Sequence, residues 1–206
     1  MRLGRMKRGA FFVLEGIDGS GKSTVADRLA KLVREELGRE CVVTAEPSTL
    51  WTGDAVRRAN QEGIDDAAEA LLFVADRALH TGQIQGWMAE GKVVVCDRYY
   101  ASTIAYQSAA LQDRMADPTE WLWELNRPVV IEPDAVFLLT IPLEKALDRL
   151  SSRSGRSKFE KLDYLRKVDR AYRRWAERDR KVILVDADRP VDEVTAETFN
   201  FLRKKL

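Results

Sequence analysis

The chain has 206 residues, 45% of them hydrophobic and 33% charged, a composition that builds a core rather than a disordered chain. Its 34 Lys and Arg nearly cancel its 33 Asp and Glu, which excludes the globally basic surface that coats nucleic acid polymers. Cys41 and Cys96 sit in apolar runs without a CxxC or a His neighbour and read as buried structural thiols, and the single His80 argues against a multi-His metal centre. No run approaches the ~20 apolar residues of a membrane span. The stretch AFFVL after the basic start MRLGRMKRG is too short for a signal-peptide core. The expectation is a cytoplasmic chain with a loose basic tail over residues 1–9.

Five short apolar runs read as strands: residues 11–14 (FFVL), 41–44 (CVVT), 93–96 (VVVC), 136–141 (VFLLTI) and 182–185 (VILV). They are apolar throughout rather than alternating, the pattern of parallel strands covered on both faces. Helical segments fall between them. Residues 22–37 carry Val25, Leu29, Leu32 and Val33 on one stripe, and Gly38 follows as a stop. Residues 66–90 are long and mostly periodic, with Ala70, Leu71, Phe73, Val74 and Ala78 expected inward. Residues 118–125, 143–150, the arginine-rich 164–178 and 191–202 complete the set. Alternating strands and helices predict an α/β fold, a doubly wound five-stranded parallel sheet with helices on both faces. No repeat or linker interrupts it, so one domain is expected over residues 1–206.

Gly16-Ile17-Asp18-Gly19-Ser20-Gly21-Lys22-Ser23 matches G-x-x-x-x-G-K-[ST], with a predicted strand before it and a predicted helix after it. Gly16, Gly19 and Gly21 let successive backbone N–H groups turn toward an anion. The helix starting at Lys22 adds its positive end. Lys22 supplies a charge for the β and γ phosphates, and the Ser23 hydroxyl suits Mg²⁺. Residues 16–24, through Thr24, are therefore the expected ATP-binding segment. An N-K-x-D loop, the mark of guanine switches, is absent. The third strand runs into Asp97-Arg98-Tyr99 rather than the Asp-Glu of motor ATPases. Asp97, at a strand's C-terminal end beside the loop, is placed to serve Mg²⁺ directly or through water. Arg98 is placed to clamp a phosphate with a forked hydrogen bond.

From residue 12 to about 191 the chain resembles the thymidylate kinases of the nucleoside monophosphate kinase group. The matching pieces are FFVLEGIDGSGKST, AEPS, LLFVADRALH, VVVCDRYYASTIAYQ, EPDAVFLLTIPLEKALDRL and SRSGRSKFEK, in the family's order. The resemblance implies transfer of the γ-phosphoryl of ATP to dTMP with Mg²⁺, in a homodimer. It implies that Asp18 accepts from the 3′-hydroxyl of dTMP, that Phe73 stacks on thymine, and that Arg77, one turn on, donates to a base oxygen. Arg98 would contact the acceptor phosphate, Ser102 and Thr103 the base edge, and Tyr106 the sugar, where it crowds a 2′-hydroxyl. Gln107 lies nearby, and Glu46-Pro47 would shape the acceptor pocket with Glu46 near the metal. Residues 151–161 resemble a mobile lid. The phosphate loop carries no arginine, so Arg153 and Arg156 are the candidate transition-state cations. Many members follow Glu-Pro with glycines or an arginine. This chain has Ser48-Thr49-Leu50-Trp51, which leaves Arg57 as the stand-in. The residues also admit a kinase for another nucleotide, a deoxynucleoside kinase, or an ATP-binding regulatory module.

Overall fold

The computed structural model describes residues 8–150 and 158–206. Five strands, β1 (Ala10–Glu15), β2 (Cys41–Ala45), β3 (Val93–Asp97), β4 (Ala135–Thr140) and β5 (Val182–Asp186), form one all-parallel sheet in the order β2-β3-β1-β4-β5. Alternate residues of β1 face opposite sides. Phe12 and Leu14 pack with α1 (Lys22–Leu37) and α8 (Val191–Arg203). Phe11 and Val13 pack under the other helices: α3 (Asp66–Ala89), α4 (Tyr100–Leu111), α5 (Pro118–Asn126), α6 (Leu143–Leu150) and α7 (Lys158–Ala176). The central strands β1, β3 and β4 are almost wholly buried, as expected. The edge strands β2 and β5 are half-exposed, because a strand at an edge lacks a neighbour on one side. Arg8 pairs with Asp134, and Gly9 lies so close to α3 that a Cβ would meet Met88 O at 2.1 Å. The rest of the predicted tail lies outside the described residues.

Three differences from the sequence reading bear on the site. Helix α2 (Trp51–Glu62) and helix α4 were not predicted. Nearly every residue of α4 is buried or half-buried, so it shows no amphipathic stripe to read. Helix α7 starts at Lys158, earlier than residue 164. Helix α3 is only partly as expected: Ala70 is buried and Phe73 and Val74 are half-buried, but Leu71 and Ala78 face out. Leu71 and Leu79 are 48% and 46% exposed and Ala78 is exposed, whereas Asp76, Arg77, His80 and Thr81 are buried. Arg77 lines the cleft described below, and Asp76, His80 and Thr81 turn inward to hydrogen-bond Ser48, Thr52, Thr44, Glu46 and Tyr99, while Leu71 and Leu79 meet solvent in the single chain.

Candidate functional site

The phosphate loop joins the C-terminal end of the central strand β1 to α1. Gly16 and Gly19 have φ of 139° and 82°, and a Cβ on either would meet the carbonyl of Leu139 or Ala146 at 2.5 and 2.7 Å. Both positions therefore require glycine. The cap of α1 is Gly21, which brings no side-chain acceptor, so the first-turn N–H groups are left for an anion. Ile17 and Ser20 are buried within the loop, and Thr24 is exposed on the first turn of α1. Lys22 is 6% exposed and folds back, its Nζ donating to Ile17 O at 2.9 Å and Ser20 Oγ at 3.4 Å. Burial, then repulsion from Arg98, pushes its ammonium down to about 7 against the pull of Asp97, Asp18 and Glu15. Arg149, at the end of α6, donates to Gly19 O at 2.8 Å.

The parallel register sets Asp97 opposite Leu14 on one side and Ala45 on the other, which brings it to the loop. Ser23 Oγ donates to Asp97 Oδ2 at 2.5 Å. Asp97 Oδ1 is buried and meets no hydrogen-bond partner among the described residues. A hydroxyl beside a carboxylate oxygen without a partner suits a hard, oxygen-seeking cation such as Mg²⁺. No group of three or more His, Cys, Asp or Glu gathers among the described residues. Such a cation would therefore complete its shell with phosphate oxygens and water.

A cleft of about 470 Å³ opens beside the loop. All nine residues read as acceptor-binding line it: Asp18, Glu46, Phe73, Arg77, Arg98, Ser102, Thr103, Tyr106 and Gln107. Arg98 links the two halves of the site. Its φ of 73° is left-handed, unusual for a side chain of this size, and turns it back toward the loop. It donates to Gly16 O at 3.1 Å and Ser102 Oγ at 3.0 Å, pairs with Asp18, and lies 5.0 Å from the Tyr106 ring centre. The Tyr106 hydroxyl accepts from Asp18 N at 2.9 Å. Burial pushes the Asp18 carboxyl up, but Arg98, Lys22 and Tyr106 outweigh it and the net shift is downward.

Several side chains are held differently from the sequence reading. Asp18, expected to meet a sugar hydroxyl, is paired with Arg98. Glu46, expected near the metal, gives one oxygen to Arg77 and turns the other to His80 Nδ1 at 3.1 Å. The Ser102 hydroxyl donates to Glu15 Oε2 at 2.6 Å, and the Thr103 hydroxyl accepts from Arg77 at 3.0 Å. Arg57 does not line the cleft; it pairs with Asp54 and donates to Pro47 O. Its place after Glu46-Pro47 is filled by Ser48, whose N–H and hydroxyl both donate to buried Asp76, at 2.7 and 2.5 Å. Arg153 and Arg156 lie outside the described residues.

Sequence reasoning also missed a buried supporting layer. Glu15 is fully buried and accepts from Tyr99 N, Ser102 N, the Ser102 hydroxyl and the Tyr172 hydroxyl. Burial pushes its carboxyl up despite these donors. A charged residue ending an apolar strand, immediately before the glycine loop, was the available signal. Asn126 accepts from Arg77, and His80 bridges Glu46 and Thr44. Tyr172, on α7, had no sequence signal at all.

A family model described as thymidylate kinase matches residues 14–198. The chain belongs to the thymidylate kinase family. It is 40% identical over 189 residues to a probable thymidylate kinase of Methanococcoides burtonii, covering 91% of this chain and 92% of the relative. It is 42% identical over 196 residues to a probable thymidylate kinase of Thermococcus kodakarensis, covering 89% and 92%. A third, from Methanosarcina barkeri, is 41% identical over 193 residues, covering 92% and 94%. The phosphate loop, Asp97-Arg98 and every residue lining the cleft beside the loop fall inside the matched span. No helix among the described residues is long and apolar enough to cross a membrane.

Proposed function

We propose that the chain transfers the γ-phosphoryl group of ATP to dTMP, giving ADP and dTDP. The observation that carries this reading is the acceptor cleft opening beside the phosphate loop, with Arg98 bridging the two. In-line phosphoryl transfer needs two anions held end to end and their charge neutralised, and little else. Residues 16–24 hold the triphosphate of ATP, with Lys22 unfolding from Ile17 O onto the β and γ phosphates. Ser23 and Asp97 would hold Mg²⁺, whose charge would neutralise phosphate and orient the transferring group. Arg98 meets the acceptor phosphate, Phe73 stacks on thymine, Arg77 donates to the base, and Ser102, Thr103 and Gln107 complete the pocket. Tyr106 fills the space of a 2′-hydroxyl. Asp18, paired with Arg98, lies at the sugar side. No general base is required, because the attacking phosphate oxygen is already anionic at neutral pH.

The same proposal covers the finer points. The chain acts as one domain, with residues 151–161 closing as a lid and Arg153 or Arg156 neutralising the transferring phosphoryl. It works as a homodimer through the exposed apolar face of α3, where Leu71 and Leu79 lie two turns apart on one stripe. Two free, buried thiols support a reducing, cytoplasmic setting. Phe73→Ala tests the acceptor assignment. Base–aromatic stacking is worth roughly 1–3 kcal/mol, so the KM for dTMP rises about 5- to 150-fold while the Kd for ATP holds. An unchanged KM, or an equal loss of ATP affinity, removes Phe73 from the thymine site.

A further inference from the structure

A second cleft, of about 1260 Å³, lies apart from the site described above. It lies between α4, α5 and α7, and none of its lining residues belongs to the phosphate loop or the acceptor cleft. Its floor is aromatic. Tyr100 sits 5.7 Å from Trp123 and 5.8 Å from Trp175 between ring centres, and Trp123 is 36% exposed. Its wall is the arginine-rich run of α7 and the turn after it. Arg170, Arg174, Arg178 and Arg180 line the cleft, are exposed, and meet no carboxylate among the described residues. The acids that also line it are mostly engaged. Asp117 caps α5, Asp179 accepts from the Tyr100 hydroxyl and Lys181 N, and Glu132 pairs with Lys181. Glu120 is the exception, exposed in the first turn of α5.

Arg170 and Arg174 stand four residues apart on α7, about 6 Å along the helix and roughly the span of a triphosphate, and Arg178 follows in the turn beyond its end. Guanidinium forks suit phosphate oxygens, and an exposed indole beside them suits a planar ring. We propose that this cleft is a second nucleotide site, taking a nucleoside polyphosphate with its base on Trp123 and its phosphates along the arginine wall. An acidic peptide would match the charge but would leave the aromatic floor unused. The test is equilibrium dialysis of the full chain with radiolabelled dTTP at low salt, for the wild type and for Arg174→Ala/Arg178→Ala. The wild type should take up two equivalents per chain. The double variant should keep one and hold the second at least about tenfold more weakly, with kcat and the KM values for ATP and dTMP unchanged. One equivalent in the wild type, two equivalents unaffected by the double variant, or displacement of the second equivalent by a poly-glutamate peptide more readily than by ATP would overturn the proposal.

Discussion

Replacing Lys22 by Ala lowers kcat by about a thousandfold, the scale of losing a buried cation aimed at charge that develops in transfer, and leaves the fold in place. The second half follows from how Lys22 sits. Its ammonium is buried, folded back on Ile17 O and Ser20 Oγ, and pushed down to about 7. The free protein therefore gains little stability from its charge. For a Lys lowered in the fold, the cost of charging is present in full below about 7, begins to fade as pH rises past that value and is gone only above the ordinary 10.5, so at pH 7 losing the ammonium removes a cost. The thermal midpoint of Lys22→Ala at pH 7 should therefore be no lower than that of the wild type. Activity and differential scanning calorimetry on one preparation check both. An active variant, or one that loses activity because it unfolds, contradicts the role.

Arg77→Leu shows the opposite balance. Arg77 is 1% exposed and pairs with Glu46, accepts nothing, and donates also to Asn126 and Thr103, with its guanidinium 5.5 Å from the Tyr99 ring centre. Removing one partner of a buried pair strands the other charge and costs roughly 3–5 kcal/mol. Arg77→Leu should therefore lower the urea midpoint strongly as well as weaken dTMP. Adding Glu46→Leu removes the stranded carboxylate, and the double variant should recover most of the stability. It should not recover acceptor binding, because the donor to the base is still gone. Equal recovery of both would make Arg77 purely structural. Recovery of neither would mean that Glu46 matters to the fold mainly through His80.

What was legible in the sequence were features whose signal is local. The phosphate loop, the five strands and α1 announce themselves by spacing and apolar runs, because glycine turns and buried parallel strands impose those patterns on neighbouring residues. What was hidden depends on partners far apart in the chain. Helix α4 is buried on nearly all sides, so its periodicity carries no stripe. Part of α3 was misread because Leu71 and Ala78 were assigned to the core, while Asp76, Arg77 and His80 were needed against Ser48, Glu46 and Asn126. The residues expected to bind the acceptor came from the family resemblance, and that they line one cleft is a property of the fold. How they are held is another matter. Tyr172 reaches Glu15 across 157 positions of sequence, and no local pattern encodes that contact.

The central claim is tested most directly by following ADP formation with MgATP against dTMP, dUMP, UMP, dCMP, AMP, GMP and thymidine in turn. The account predicts fast turnover with dTMP, markedly slower turnover with UMP, whose 2′-hydroxyl meets Tyr106, and none above background with thymidine, which offers no anionic phosphate oxygen to attack. Equal rates with UMP, preference for another acceptor, or ATP hydrolysis indifferent to every acceptor would contradict it.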